Sequence, residues 1–183
     1  TETCLVAKGL GCGYMPMGAG IVHEKIVAAM EAGSGQGGHL FTFAANPLAC
    51  AAASAAMTYL QEHHLVERCA KMGALFLEKL KTLETLPFVG QVRGIGMMYG
   101  VEFVADKETK APLPNEMAIS SRVAAYCFSH GLMVTAGVQG CADGRHGEAM
   151  QIAPPFIITE EEMDFVVSTL QEAILAVAEE VQK

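Results

Sequence analysis

The sequence predicts an α/β fold in its first part and a smaller α+β unit in its second. Three observations predict it. A short apolar run, TCLVA, stops at Lys8 before glycines at 9, 11 and 13. Helical periodicity recurs in several long stretches. Between them lies GQVRGIGMMYGVEFVA, which has the form of a hairpin. Residues 1–60 read as α/β, 61–85 as a linking helix, and 86–183 as an α+β unit.

Residues 3–7 have the length and composition of a buried strand. Residues 9–18 form a glycine-rich loop, and AGIVH (19–23) is a second short strand. The spacing of Ile26, Val27 and Met30 predicts a helix over 24–32, and GSGQGG (33–38) breaks it. Asn46-Pro47 supplies an N-cap followed by proline at the first helical position. The helix that follows, LACAAASAAMTYL, is nearly all small residues, so neighbouring backbones can approach it and it is expected to be buried. A further helix is predicted over 61–83, with Leu65, Cys69, Met72, Leu75, Phe76 and Leu80 on one face. After the hairpin, Pro112, Pro114 and Asn115 introduce a helix that ends at His130-Gly131. LMVTAG and MQIAPPF read as strands. Thr159 and Glu162 form a capping box for a last helix with Met163, Val166, Val167, Leu170, Ile174 and Ala178 inward.

Composition narrows the function. The 183 residues are 51% hydrophobic and 17% charged, with net charge −8 from 20 acidic and 12 basic side chains. That is a globular composition without the basic patch of a nucleic-acid binder. No run is apolar for long enough to span a bilayer. None of the six cysteines lies in a C-x-x-C pair, and they read as small buried hydrophobes in a reducing, cytoplasmic setting. The chain begins with Thr1 at a strand-like run, from which a preceding segment is expected.

Lys8 is the first candidate for chemistry. A lysine at a strand end can be a snorkelling surface residue, a phosphate ligand or a reacting amine. A buried preceding strand favours the last reading, because desolvation favours the neutral amine that attacks a carbonyl. The glycines after it match neither a Walker A loop nor a dinucleotide fingerprint. Thr42 lies just ahead of the Asn46-capped helix, where a hydroxyl and free backbone amides suit a phosphate. His39 has no partner at metal-ligand spacing, and no metal site is expected.

LVAKGLGCGYMPMGA, HLFTFAANPLACAAA, VRGIGMMYGVEF and IAPPFIITEEEMD resemble, in order and spacing, the class III pyridoxal-phosphate-dependent aminotransferases, nearest the ω-amino-acid and amine branch. The resemblance implies the C-terminal part of a fold type I transferase: the end of the large cofactor-binding domain, then the small α+β domain. It implies pyridoxal 5'-phosphate as cofactor and Lys8 as the amine of the internal aldimine and the proton shuttle. Thr42 is implied as a phosphate ligand acting across a homodimer interface, and Arg93 as a structural residue of the small domain.

In the family an arginine often precedes the Ala-Pro-Pro segment and pairs with a substrate carboxylate. Gln151 stands there and cannot supply the charge. Arg145, in the loop just upstream, is the candidate for that role. The family's aspartate for the cofactor's pyridine nitrogen, its ring-stacking aromatic and its first phosphate loop precede the lysine segment, so this segment alone is expected to be inactive. The implied reaction moves an amino group from an amine or ω-amino acid to a 2-oxo acid. Aminomutase, decarboxylase and racemase chemistry share the lysine segment, and an inactive fragment is the non-enzymatic alternative.

Overall fold

A computed structural model describes residues 2–36 and 41–181. His39 lies outside them. The chain divides into two units, Thr1–His64 and Leu65–Lys183.

In the first unit, β1 (Thr3–Ala7) pairs antiparallel with β2 (Gly18–Val22), from Thr3 opposite Val22 to Ala7 opposite Gly18. Both strands lie where the sequence places them, but β1 is not buried: Leu5 is 88% exposed. Two strands alone cannot cover a sheet face, and among the described residues no third strand joins them. Helix α1 (Glu24–Ala32) is capped by the His23 ring and buries none of its residues. Helix α2 (Pro47–Glu62) also corrects the expectation of burial, since only Ala49 and Ala53 are enclosed. Its small side chains admit close approach, and what approaches is the turn Lys8–Gly11.

Helix α3 (Leu65–Lys81) starts later than the sequence suggested, because the chain turns at His63-His64, where His64 has φ 50. It belongs to the second unit and packs on that unit's sheet. The sheet is antiparallel, in the order β3-β4-β6-β5. Strands β3 (Val89–Ile95) and β4 (Met98–Phe103) form the expected hairpin, with Gly96 at φ 58 in a two-residue loop. A bulge between Val89 and Gln91 lets Val89 and Val92 face the same way. Helix α4 (Ile119–Ser129) ends at Gly131, φ 83, as the glycine stop predicts. Strand β5 (Thr135–Gln139) starts three residues after the predicted start, and β6 (Glu148–Ile152) ends before Pro154, which has no N–H to donate to a ladder.

Helix α5 (Glu160–Val181) is capped as predicted: Thr159 N donates to Glu162 Oε2 at 2.8 Å, and Glu162 N to Thr159 Oγ1 at 3.2 Å. The core joins Phe76 and Leu80 of α3, Val123 and Cys127 of α4, and Met163, Leu170 and Ile174 of α5 to Tyr99, Val101, Phe103, Met150 and Ile152 of the sheet. Strict alternation in β4 and β6 sends Gly100, Glu102, Ala149 and Gln151 to the opposite, open face. The reading of the cysteines as buried holds for Cys127 alone. Cys69 is half-buried and the other four are exposed, mostly because the first unit encloses so little.

Candidate functional site

Lys8 opens a 3-10 turn, Lys8–Gly11, directly after β1. Its φ is 53, in the left-handed region that a side-chain-bearing residue enters at a cost of order 1 kcal/mol. Backbone strain of this kind collects at functional positions. The glycines fold into two consecutive turns, closed by Cys12 N to Gly9 O (3.1 Å) and Tyr14 N to Gly11 O (2.9 Å). Lys8 is exposed, so the burial argued from the strand is not found. Among the described residues its amine has neither ion pair nor hydrogen bond.

Thr42 is also exposed, in the turn closed by Ala44 N to Phe41 O at 2.9 Å. Its hydroxyl has no hydrogen-bond partner among the described residues. The amides of α2 behind it are not free, contrary to the sequence argument. Asn46 Oδ1 accepts from Leu48 N and Ala49 N (3.1 and 3.2 Å), Asn46 O accepts from Cys50 N, and Pro47 has no N–H. The cap that marks the helix start consumes the donors an anion would need. A groove of about 510 Å³ lies along this helix end, between Met15 and Met17 of the glycine loop and Phe41, Phe43 and Asn46. The groove is lined by the end of the glycine loop and by the residues flanking Thr42, but neither Lys8 nor Thr42 itself lines it.

Arg145 and Gln151 lie in the second unit. Gln151 is exposed on the open face of the sheet, opposite Gly100 of β4 and Thr135 of β5. Arg93 stands opposite Gly100 on the other side, so one row reads Arg93, Gly100, Gln151, Thr135. The missing side chain at Gly100 leaves a shallow groove of about 360 Å³ that both Arg93 and Gln151 line. Arg93 is already engaged, with Glu102 at 2.6 Å and Gln91 at 3.0 Å.

Arg145 occupies a tightly bonded turn between β5 and β6. Its N donates to Asp143 Oδ1 (2.8 Å) and its carbonyl accepts from Asn115 Nδ2. His146 adds a backbone bond to Asp143 Oδ1 (2.6 Å) and a ring contact from Nδ1 to Oδ2 (2.7 Å). The His146 ring and the neighbouring N–H groups hold the Asp143 carboxyl down at about 2, and Asp143 raises His146 above its ordinary value. Asp143 and His146 were not singled out from sequence, and Asn115 was read only as part of a helix start; the only signal for the turn was the chemistry of Asp143-Gly144. Among the described residues no cluster of His, Cys, Asp or Glu could hold a metal ion, and no helix is long and apolar enough to cross a membrane.

Comparison with known proteins gives this arrangement a family. The family described as Aminotransferase class-III matches residues 2–174. An uncharacterized aminotransferase of Schizosaccharomyces pombe is 40% identical over 170 residues, which is 92% of this chain and 37% of that protein. A transaminase structure from the marine bacterium Virgibacillus superposes with a TM-score of 0.90 at 30% identity, covering 98% of this chain and 40% of that one. An amine transaminase from an uncultivated Pseudomonas species, in its PLP-bound internal aldimine form, gives 0.86 at 33% identity over 96% of this chain and 38% of that one. The chain thus spans about two fifths of the length of these relatives. With nearly every residue inside the family's pattern and the fold superposing at this level, the chain belongs to the class-III aminotransferases.

Proposed function

We propose that the whole protein transfers an amino group from an amine or ω-amino acid to a 2-oxo acid, using pyridoxal 5'-phosphate. The observation that carries this reading is Lys8: a primary amine without a partner among the described residues, at a left-handed backbone position, in a family with a PLP-bound member. The residues fit the cofactor in donor chemistry. Lys8 Nζ is a primary amine with no competing partner among the described residues, and Thr42 offers an uncommitted hydroxyl for a phosphate oxygen. The amides of α2 are not part of the fit, because Asn46 occupies them.

When bound, the cofactor supplies the electron sink for the electron pair left at the substrate's Cα. Lys8 holds the cofactor until substrate arrives. Its amine then takes the proton from the donor carbon that bears the nitrogen and delivers it to the cofactor carbon that receives the nitrogen, acting as general base and general acid in turn. Thr42 anchors the phosphate, and we assign it to the site of a second copy in a homodimer. The first unit exposes Leu5, Tyr14 and Phe43 at 82% or more, a degree of apolar exposure that calls for cover. Arg145 receives the carboxylate of the 2-oxo acid. It is the one arginine among the described residues whose guanidinium makes no bond, whereas Arg68, Arg93 and Arg122 are all engaged. Gln151 leaves its own position on the open sheet face uncharged, which suits donors without an α-carboxylate. Six free thiols fit a cytoplasmic enzyme.

The test is a panel of amine donors with pyruvate as acceptor, assayed on the whole protein. Alanine should form from pyruvate, and Lys8→Ala should abolish it. Turnover surviving in Lys8→Ala would sink the mechanism.

A further inference from the structure

The turn 140–147 fixes the Arg145 backbone on both sides yet makes no bond to its guanidinium. Arg145 N is held by Asp143, and its carbonyl by Asn115 of the segment before α4. Gly140 N to Gly147 O (2.9 Å), Ala142 N to His146 O (3.0 Å) and Gly144 N to Gly140 O (2.9 Å) close the turn around them. A Cβ on Gly147, which has φ 92, would meet Ala142 at 2.9 Å, so the turn is packed as well as hydrogen-bonded. A turn held this closely presents one charged side chain outward with little backbone entropy left to lose on binding.

We infer that Asp143 and His146 are positioning residues that hold Arg145 for a substrate carboxylate, and that protonation of His146 tightens this hold. The inference rests on the assignment of Arg145 to the carboxylate of the 2-oxo acid. The Asp143 carboxylate accepts three bonds, two from backbone N–H groups and one from the His146 ring. Only the last changes its charge within the physiological range. The groups facing His146 are Asp143 in its own turn and Glu116 beside Asn115, both acidic, so both favour the imidazolium. Because His146 is raised, the charged pair is complete at low pH and is lost as pH rises through that raised value. The turn then keeps its backbone bonds and loses its charge-assisted one. Binding of a carboxylate acceptor should therefore weaken with rising pH in a way that binding of an uncharged carbonyl acceptor does not.

The experiment measures KM for pyruvate and KM for a carboxyl-free aldehyde acceptor against pH, on the whole protein and with one amine donor at saturation, and follows their ratio. The ratio should rise with pH in the native protein. In Asp143→Asn and His146→Ala it should be raised already at low pH, by about three- to tenfold, and should lose its pH dependence. His146→Asn, which keeps a side-chain N–H, should restore part of the loss. Arg145→Met should raise the ratio by more than about tenfold at every pH. If Arg145→Met raises the ratio but the Asp143 and His146 variants do not, the positioning role is overturned and the Arg145 assignment stands. If Arg145→Met leaves the ratio unchanged, both are overturned. Nuclear magnetic resonance titration of His146 gives a reading independent of turnover. Its midpoint should fall in Asp143→Asn, and an unmoved midpoint would overturn the pairing.

Discussion

The buried carboxylate of Glu148 grips Ser120 twice: Oε2 accepts from both the backbone N–H and the hydroxyl of Ser120, each at 2.7 Å. Its Oε1 accepts from Ile119 N at 3.2 Å. Helix α4 has Ala118 at its N-cap, at φ 46, with no side-chain acceptor of its own. A strand residue therefore caps the helix, joining β6 to α4 just after the Arg145 turn.

Replacing Glu148 by Gln turns one acceptor into a donor facing N–H groups. A buried group left unsatisfied costs about 1–3 kcal/mol, so the unfolding free energy extrapolated from urea melts should fall by that much, with a lower urea midpoint. Ser120→Ala, which loses only the hydroxyl bond, should cost about 1 kcal/mol.

Gly73 of α3 is the contact point for the β3–β4 hairpin. A Cβ there would lie 2.2 Å from Gly96 O, a backbone atom that cannot swing aside. Gly73→Ala should cost about 1–3 kcal/mol through a forced backbone shift, although alanine is the better helix former. Thermal unfolding checks this, and an increase in Tm would show that the hairpin can withdraw freely.

Tyr99 closes the same contact. Its hydroxyl donates toward Gly73 O at 3.0 Å and toward Gly96 O. Burial, with a smaller contribution from nearby Cys69, pushes it from 10.0 up to about 12. The folded form holds this proton more tightly than the unfolded form, so its stabilising effect is complete below pH 10. It is lost as pH rises toward 12. Denaturation across that window should show the fall, and Tyr99→Phe should flatten it while weakening the fold at neutral pH.

The second unit was legible from sequence because its patterns find their partners within the chain. The inward face of α5, the Thr159–Glu162 cap and the glycine stop of α4 all lie as the residues indicate. The first unit was legible in its elements and not in its burial. Leu5 and the small residues of α2 reveal that a segment can be covered, and periodicity does not say by what. Lys8 and Thr42 could be named because they sit in recognisable segments, but the engaged amides of α2 follow from cap geometry that a capping residue and a proline only hint at. Asp143 and His146 escaped notice because their importance comes from an exposed turn, where apolar patterning carries no signal.

The proposed chemistry stands or falls on Lys8 carrying the cofactor. The most direct measurement is to incubate the whole protein with pyridoxal 5'-phosphate, reduce with borohydride and map the modified peptide by mass spectrometry. A single phosphopyridoxyl group is expected on the peptide containing Lys8, lost in Lys8→Ala. No adduct on the folded protein, or an adduct confined to another lysine, would contradict it.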